Sequence, residues 1–155
     1  MHEGEFSGGC QCGAIRFHGT KLGRPSICHC RMCQKATGNF FAPLVTVYPG
    51  DFQWTRGTPH WFSSSAQIRR GFCHKCGTPL AYEHPNGLEI TIGAFDHPAA
   101  LEPQVQVNHD RALPWIDRLF DKPKATQSVD ESKVVSYQHP DHETAHWPPE
   151  VFSHD

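Results

Sequence analysis

The sequence predicts an all-β domain of short antiparallel strands with little helix. Of its 155 residues, 13 are Gly and 13 are Pro, while hydrophobic residues make up only 37%. This composition is typical of a chain with many turns and short strands rather than long helices. Apolar and polar residues alternate in several short runs, and turn-forming residues separate those runs. The length is sufficient for one domain with a sizeable core.

The strand signals are strongest in the middle of the chain. Phe40 to Val47 is apolar and ends in β-branched residues, which predicts a buried strand. Leu88 to Ile92 alternates apolar and polar, and Pro85-Asn86-Gly87 just before it indicates a hairpin. Shorter strands are predicted at 14–18, 52–54, 60–62, 67–73, 79–83 and 105–107.

The segments between these strands predict less regular structure. Residues 1–9 are polar and end in Gly8-Gly9, so we expect a flexible lead-in. Residues 19–26 contain Gly and Pro and predict a loop. Residues 34–38 fit one helical turn that Gly38 closes.

The character of the chain changes at about residue 120. The residues beyond it are polar, contain several prolines and have few large apolar side chains. We therefore divide the chain into a packed domain of residues 1–120 and a polar C-terminal extension of residues 121–155, ordered in part. Its histidines His139, His142 and His146 fit a scattered polar tail better than a metal site.

Charge and hydropathy argue against two classes of partner. The 14 Lys and Arg residues against 16 Asp and Glu residues lack the basic excess of a nucleic-acid-binding protein. No apolar run is long enough to span a bilayer, and residues 1–5 lack the basic and apolar regions of a secretory signal. We expect a cytoplasmic protein that binds neither nucleic acid nor membrane. No signal in the sequence favours a particular oligomeric state.

The seven cysteines form three close groups, which are Cys10/Cys12, Cys28/Cys30/Cys33 and Cys73/Cys76. In a reduced intracellular protein, clustered thiols indicate a metal more often than a disulfide. A disulfide framework would leave one of seven thiols unpaired. An iron–sulfur cluster is disfavoured because the spacings do not match the usual ferredoxin runs.

The stretch Cys28-His29-Cys30-Arg31-Met32-Cys33 places three thiols within six residues. On an extended backbone Cys28 and Cys30 share a face, and the three-residue step to Cys33 fits a tight turn. Three thiolates on one zinc leave its fourth tetrahedral position open, as in catalytic sites. The alternative is a structural site with a distant fourth ligand.

The other four cysteines form two chelating pairs. Cys73-His74-Lys75-Cys76-Gly77 has the spacing of a zinc knuckle, and Cys10-Gln11-Cys12 offers a second pair on one strand face. Together the pairs predict a closed site of four thiolates, which leaves three cysteines for the open site. On spacing alone, Cys28/Cys30 can exchange roles with Cys10/Cys12.

Four segments together resemble the glutathione-dependent formaldehyde-activating enzyme (GFA) family. They are Gly8 to Phe17, Cys28 to Lys35, Gly71 to Leu80 and Leu113-Pro114-Trp115, and the resemblance covers about residues 7–119. It implies an Mss4-like fold with two zinc ions per chain. The structural zinc would lie on Cys10, Cys12, Cys73 and Cys76, and the catalytic zinc on Cys28, Cys30 and Cys33.

The family is named for condensing glutathione with formaldehyde to S-hydroxymethylglutathione. The resemblance therefore implies a carbon–sulfur lyase that acts on a thiol and a small aldehyde. Zinc is borderline soft, so the open position can take a substrate thiolate. Two alternatives are a non-catalytic, zinc-stabilised binding module and an enzyme of the same fold with another small electrophile. Cys33 argues against the module, because a purely structural site needs no open set of three thiolates.

Polar residues near the cysteines predict supporting roles. His29 lies between two ligands, and we expect it to pack or to support them rather than to catalyse. The run Asn108-His109-Asp110-Arg111 fits a solvated loop better than a pocket lining.

Overall fold

The computed structural model describes residues 2–149 as ten β-strands, one α-helix and several short 3-10 turns. The strands are β1 (His2–Gly9), β2 (Arg16–Leu22), β3 (Ser26–Cys28), β4 (Ala42–Val47), β5 (Phe52–Arg56), β6 (His60–Ser63), β7 (Arg69–Phe72), β8 (Pro79–His84), β9 (Gly87–Thr91) and β10 (Val105–Val107), and the helix is α1 (Arg31–Thr37). The predicted all-β class is confirmed. No helix among residues 2–149 is long and apolar enough to cross a membrane.

The strands form one sheet with the order β1-β2-β4-β9-β8-β7-β6. Strand β5 pairs with β2, while β3 pairs with both β4 and β10. The described pairings are antiparallel except that of β3 with β10, which is parallel. The predicted hairpin at residues 85–87 joins β8 to β9, whose register pairs His84 with Gly87.

The two faces of the central strands have different surroundings. Val45, Ile90 and Ala81 are cross-strand neighbours and lie buried in the main core. Successive strand residues point to opposite faces, so Leu44 and Tyr82 point away from that core. They pack in a second cluster with the three cysteines of residues 28–33. The sheet therefore separates the main core from the cysteine stretch.

The expected flexible lead-in is wrong, because residues 2–9 form β1 and pair with β2 at the end of the sheet order. A polar sequence suits such an edge strand. Gly8 fits there because a Cβ atom at this position would lie 2.3 Å from the Ala94 carbonyl oxygen. The loop predicted at 19–26 is also wrong in part, since β2 continues to Leu22 and β3 begins at Ser26.

Arg16 forms a buried ion pair with Asp96 and a second, partly exposed one with Glu143 of the C-terminal segment. Arg16 is 2% exposed, and its guanidinium lies 2.6 Å from the Asp96 carboxylate and 2.9 Å from that of Glu143. Burial alone would raise the pKa of Asp96, but hydrogen bonds from Arg16 and Ser7 hold it below its usual value. The carboxylate is therefore kept ionised opposite the guanidinium.

Part of the predicted polar tail is packed rather than scattered. His139 is 3% exposed, and its backbone N–H donates to the Gln11 carbonyl oxygen at 2.7 Å. His142 and His146 lie outside any described helix. The division of the chain at residue 120 stays a prediction, and residues 150–155 of the predicted extension lie outside the described residues.

We predict that Asp96→Asn lowers the free energy of unfolding by about 3–5 kcal/mol, because it leaves the Arg16 guanidinium buried without its main counter-charge. The matched variant Glu143→Gln should cost about 1 kcal/mol or less, since the Glu143 side chain is 48% exposed. Urea unfolding at neutral pH measures both values. In the wild type, ionised Asp96 contributes fully to the free energy of unfolding above the pKa of an unfolded Asp, about 4. This contribution is lost as the pH falls through the lower pKa that Asp96 has in the folded protein. Equal and small decreases in the free energy of unfolding for the two variants would contradict a dominant role of Asp96 as the counter-charge of Arg16.

Candidate metal centre

The first and third cysteine groups meet at one point. The sulfurs of Cys10, Cys12, Cys73 and Cys76 all lie within 4.8 Å of one another. Cys12 Sγ is 3.6 Å from Cys10 Sγ and 3.9 Å from Cys73 Sγ. A tetrahedral zinc about 2.3 Å from each sulfur separates its ligands by about 3.8 Å. The donor set and its spacing therefore fit a closed four-thiolate zinc site.

Tight turns hold the four sulfurs in place. The Gly77 N–H donates to the Cys73 carbonyl oxygen at 2.8 Å, and the Ile15 N–H donates to Cys10 Sγ at 3.2 Å. Burial alone would raise the pKa of Cys76, but hydrogen bonds from Thr78 lower it to about 6. Such donors orient metal-binding thiolates and stabilise their charge.

The C-terminal segment covers the first of these turns. Trp147 Nε1 donates to the Cys12 carbonyl oxygen at 2.7 Å, and Lys75 Nζ lies 5.3 Å from the centroid of the Trp147 ring. Gly13 has a φ of 77°, and a Cβ atom there would lie 2.1 Å from the His139 ring. Glycine is therefore required at this position both by the backbone and by the ring above it.

The sulfurs of Cys28, Cys30 and Cys33 form a second group, also within 4.8 Å of one another. Cys28 ends β3, where its Cα pairs with Ala42 of β4 and Val107 of β10. Cys30 is the N-cap of α1, and its sulfur accepts a hydrogen bond from the Cys33 N–H at 3.4 Å. Among residues 2–149 this group has three potential ligand atoms, one fewer than a closed tetrahedral zinc site needs.

Two side chains donate to these sulfurs. Arg70 Nη2 lies 3.4 Å from Cys33 Sγ, and Asn108 Nδ2 lies 3.4 Å from Cys28 Sγ. Arg70 is held in place because its guanidinium lies 4.9 Å from the centroid of the Tyr82 ring and its Nε donates to Ser64 Oγ at 3.0 Å. If the three cysteines held a divalent ion as thiolates, the positive charge of Arg70 would offset the excess negative charge of the group.

The three thiols do not ionise alike. The pKa of Cys28 is lowered to about 5, chiefly because the Cys33 thiol donates a hydrogen bond to its thiolate. The same interaction, together with burial, raises the pKa of Cys33. Binding of a metal ion to all three sulfurs must therefore release protons.

The three-cysteine group opens into a cavity of about 700 Å³, which we call the sulfur cavity. Arg70, Tyr82 and Glu89 are cross-strand neighbours on β7, β8 and β9, and they line this cavity together with the cysteines. The Glu89 side chain is 23% exposed, and His84 Nε2 lies 4.0 Å from its carboxylate. Burial raises the pKa of Glu89. A carboxyl group of raised pKa thus shares a cavity with three convergent sulfurs.

The structure brings the cysteines together in the predicted groups of four and three, without the exchange of pairs that spacing alone allows. Their ligation of zinc and the catalytic role of Cys28, Cys30 and Cys33 stay predictions. His29 packs as expected, being fully buried with Nε2 2.8 Å from Gln106 Oε1. Asn108 is exposed, as expected of a solvated loop, but it also lines the cavity and its Nδ2 donates to Cys28 Sγ.

Sequence reasoning missed Arg70, Tyr82 and Glu89 as residues of the site. The alternation of Leu88 to Ile92 contained a signal for Glu89, because it places Glu89 on the opposite face of the strand from the buried Ile90. The cross-strand register that aligns Glu89 with Tyr82 and Arg70 becomes visible only in the fold.

The chain is similar to known proteins in family and in fold. A family model described as glutathione-dependent formaldehyde-activating enzyme matches residues 5–111. A solved structure of a Rhodobacter sphaeroides protein is similar, with a TM-score of 0.51, 18% sequence identity and coverage of 65% of this chain and 99% of that one. At this identity the likeness shows the fold alone. No curated protein matches the sequence significantly.

We predict that one cysteine substitution in each group removes a zinc ion, but that only the one in the group of four destabilises the fold. Cys73→Ser should remove the four-cysteine zinc and lower the free energy of unfolding by about 3 kcal/mol or more, because this site joins turns that are distant in sequence. Cys33→Ser should lose one zinc and keep the fold. Metal analysis and denaturant unfolding of both variants test this, and a Cys33→Ser protein that unfolds like Cys73→Ser would contradict it.

Proposed function

This chain belongs to the glutathione-dependent formaldehyde-activating enzyme family, and we propose that it is a zinc-dependent carbon–sulfur lyase that adds a thiol such as glutathione to a small aldehyde. Membership supports a glutathione-dependent formaldehyde-activating or related function. The observation that carries the finer proposal is the three-sulfur group at the wall of the sulfur cavity. A binding module without catalysis gives no reason for three thiols and a partly buried acid to face one cavity.

In this proposal the two groups of sulfurs have different tasks. Cys10, Cys12, Cys73 and Cys76 hold a structural zinc. Cys28, Cys30 and Cys33 would hold a second zinc, which would supply a soft cation that stabilises the substrate thiol as its thiolate. The domain of residues 1–120 carries both sites, and within the predicted extension of residues 121–155 the side chains of His139 and Trp147 cover the structural one. A cytoplasmic location suits the function, because thiols stay reduced there.

Arg70 and Asn108 keep the sulfurs charged and oriented. They donate hydrogen bonds to Cys33 and Cys28, respectively, and both side chains line the sulfur cavity. The guanidinium also lowers the cost of bringing another thiolate into a site that already holds three.

Glu89 moves the proton of the reaction. Its carboxylate accepts the proton from the incoming thiol, and the sulfur electron pair then forms the new bond to the carbonyl carbon. The π electrons of the carbonyl move to its oxygen, which takes the same proton back from Glu89. Thiol and aldehyde thus become a hemithioacetal without loss of atoms, and the reverse sequence is the lyase direction. A pKa raised by burial suits this exchange, because it makes the carboxylate a stronger base.

We predict that the wild-type protein accelerates exchange between glutathione, formaldehyde and their adduct, as followed by NMR. Arg70→Met should lower kcat/KM by about 10- to 100-fold, because a charged hydrogen bond to sulfur is lost. Arg69→Met is the matched control, since Arg69 is half exposed and pairs with Glu83 away from the cavity. Equal activity of the two variants at equal zinc content would contradict the role of Arg70, and an inactive wild type would contradict the proposed function.

We also predict that Glu89→Gln lowers kcat/KM by about 100-fold or more, because proton transfer is lost. The wild-type rate should fall as the pH drops through the raised Glu89 pKa, since the reaction needs the carboxylate. This decline should be absent in Glu89→Gln. Glu83→Gln, on the opposite face of the neighbouring strand, serves as the control. Zinc content is measured at each pH, and an unchanged pH profile in Glu89→Gln would contradict the role.

A further inference from the structure

A second cavity of about 480 Å³ adjoins the sulfur cavity. Most of its lining is apolar, with Met32, Ala36, Leu44, Phe62, Phe72 and Pro79 among the residues that form it. We call this space the apolar annex. Met32 and Phe62 remain 52% and 63% exposed, so two large apolar side chains face solvent here. Contiguous exposed apolar surface of this kind is typical of a ligand-binding site.

The annex and the sulfur cavity share one wall. Met32, Leu44, Arg70 and Tyr82 line both spaces. Leu44 and Tyr82 also pack in the cluster that contains the three cysteine sulfurs. A molecule whose reacting atom lies at the sulfurs can therefore extend a substituent across this wall into the annex.

The charges around the annex restrict what that substituent can be. Among the described residues 2–149, its only charged lining residues are the cations Lys35 and Arg70, and none of these residues adds a carboxylate to the lining. Arg70 is already engaged with Cys33, Ser64 and the Tyr82 ring. A cationic group would find no partner there, whereas an alkyl or phenyl group would bury against apolar side chains.

From this geometry we propose that the apolar annex binds the alkyl or aromatic substituent of the carbonyl substrate. The inference rests on the proposed function, and it names the substrate class as aldehydes larger than formaldehyde. Formaldehyde carries only hydrogens on its carbonyl carbon and has nothing to place in the annex. Each methylene buried there should improve binding by about fourfold until the space is filled.

Binding can be measured without any reaction, because the chain contains only two methionines, Met1 and Met32. Protein labelled with ¹³C at the methionine methyl groups gives two signals, and Met32→Leu identifies the one from the annex wall. We would titrate the zinc-loaded protein with methanol, butanol, hexanol and benzyl alcohol, which have no carbonyl group to react. The Met32 signal should shift saturably, with an affinity that rises by about fourfold per methylene.

Two phenylalanine variants sharpen the test. Phe62→Ala should weaken hexanol binding by about fivefold or more, because it removes part of the annex wall. Phe120→Ala is the matched control, since Phe120 is 88% exposed and lines a different cavity beside His29 and Phe41. In a parallel kinetic series with glutathione, kcat/KM should rise from propanal to hexanal, whose carbonyl groups react alike. Phe62→Ala should flatten this rise.

The outcomes separate the two proposals. A saturable Met32 shift with rising kcat/KM along the series supports both. Saturable binding in a protein that turns over no thiol and aldehyde overturns the proposed reaction and leaves the apolar subsite established. The subsite alone is overturned if kcat/KM does not depend on the chain length of the aldehyde and one of two further results holds. Either the Met32 signal does not shift, or Phe62→Ala and Phe120→Ala have equal effects.

Discussion

The convergence of sulfur atoms is the constraint on which the rest of this structure depends. Thiolates held within 4.8 Å of one another repel strongly unless a cation lies between them. The group of four joins the turn after β1 to the turn after β7, which are more than sixty residues apart. The group of three depends instead on β3, on the first turn of α1 and on the donors Arg70 and Asn108. A bound metal would therefore act on folding at the first group and on chemistry at the second.

The central strands keep these two tasks apart. Val45, Ile90 and Ala81 close the main core on one face. On the other face the row from Arg70 through Tyr82 to Glu89 presents a cation, an aromatic ring and an acid to the sulfur cavity. Because neighbouring residues of a strand alternate between faces, adjacent positions such as Arg69 and Arg70 have unrelated roles. Polar chemistry can thus be placed beside an apolar core without burying unpaired charge in it.

Local patterns predicted much of this fold. The alternation in residues 88–92 and the turn residues before them predicted a hairpin, and the close cysteine spacings predicted one group of four and one of three, although spacing alone left open which pair joins Cys73 and Cys76. Local sequence patterns gave wrong predictions where a segment's structure depends on partners that are distant in the sequence. Residues 2–9 resemble a flexible segment, yet pairing with β2 makes them an edge strand. Asn108 resembles loop sequence, yet the parallel pairing of β10 with β3 carries it to Cys28. The burial of His139 likewise depends on a distant partner, because its backbone N–H donates to Gln11 in the turn after β1.

The central claim is that three sulfurs leave a metal position open to a thiol. Loading both cysteine groups with cobalt, with two metal ions per chain verified, would make this position visible in the absorption spectrum. The account predicts that glutathione changes the cobalt bands of the wild type, and that Cys33→Ser, which keeps only the four-cysteine site, shows no change. An unchanged wild-type spectrum at saturating glutathione would contradict the claim.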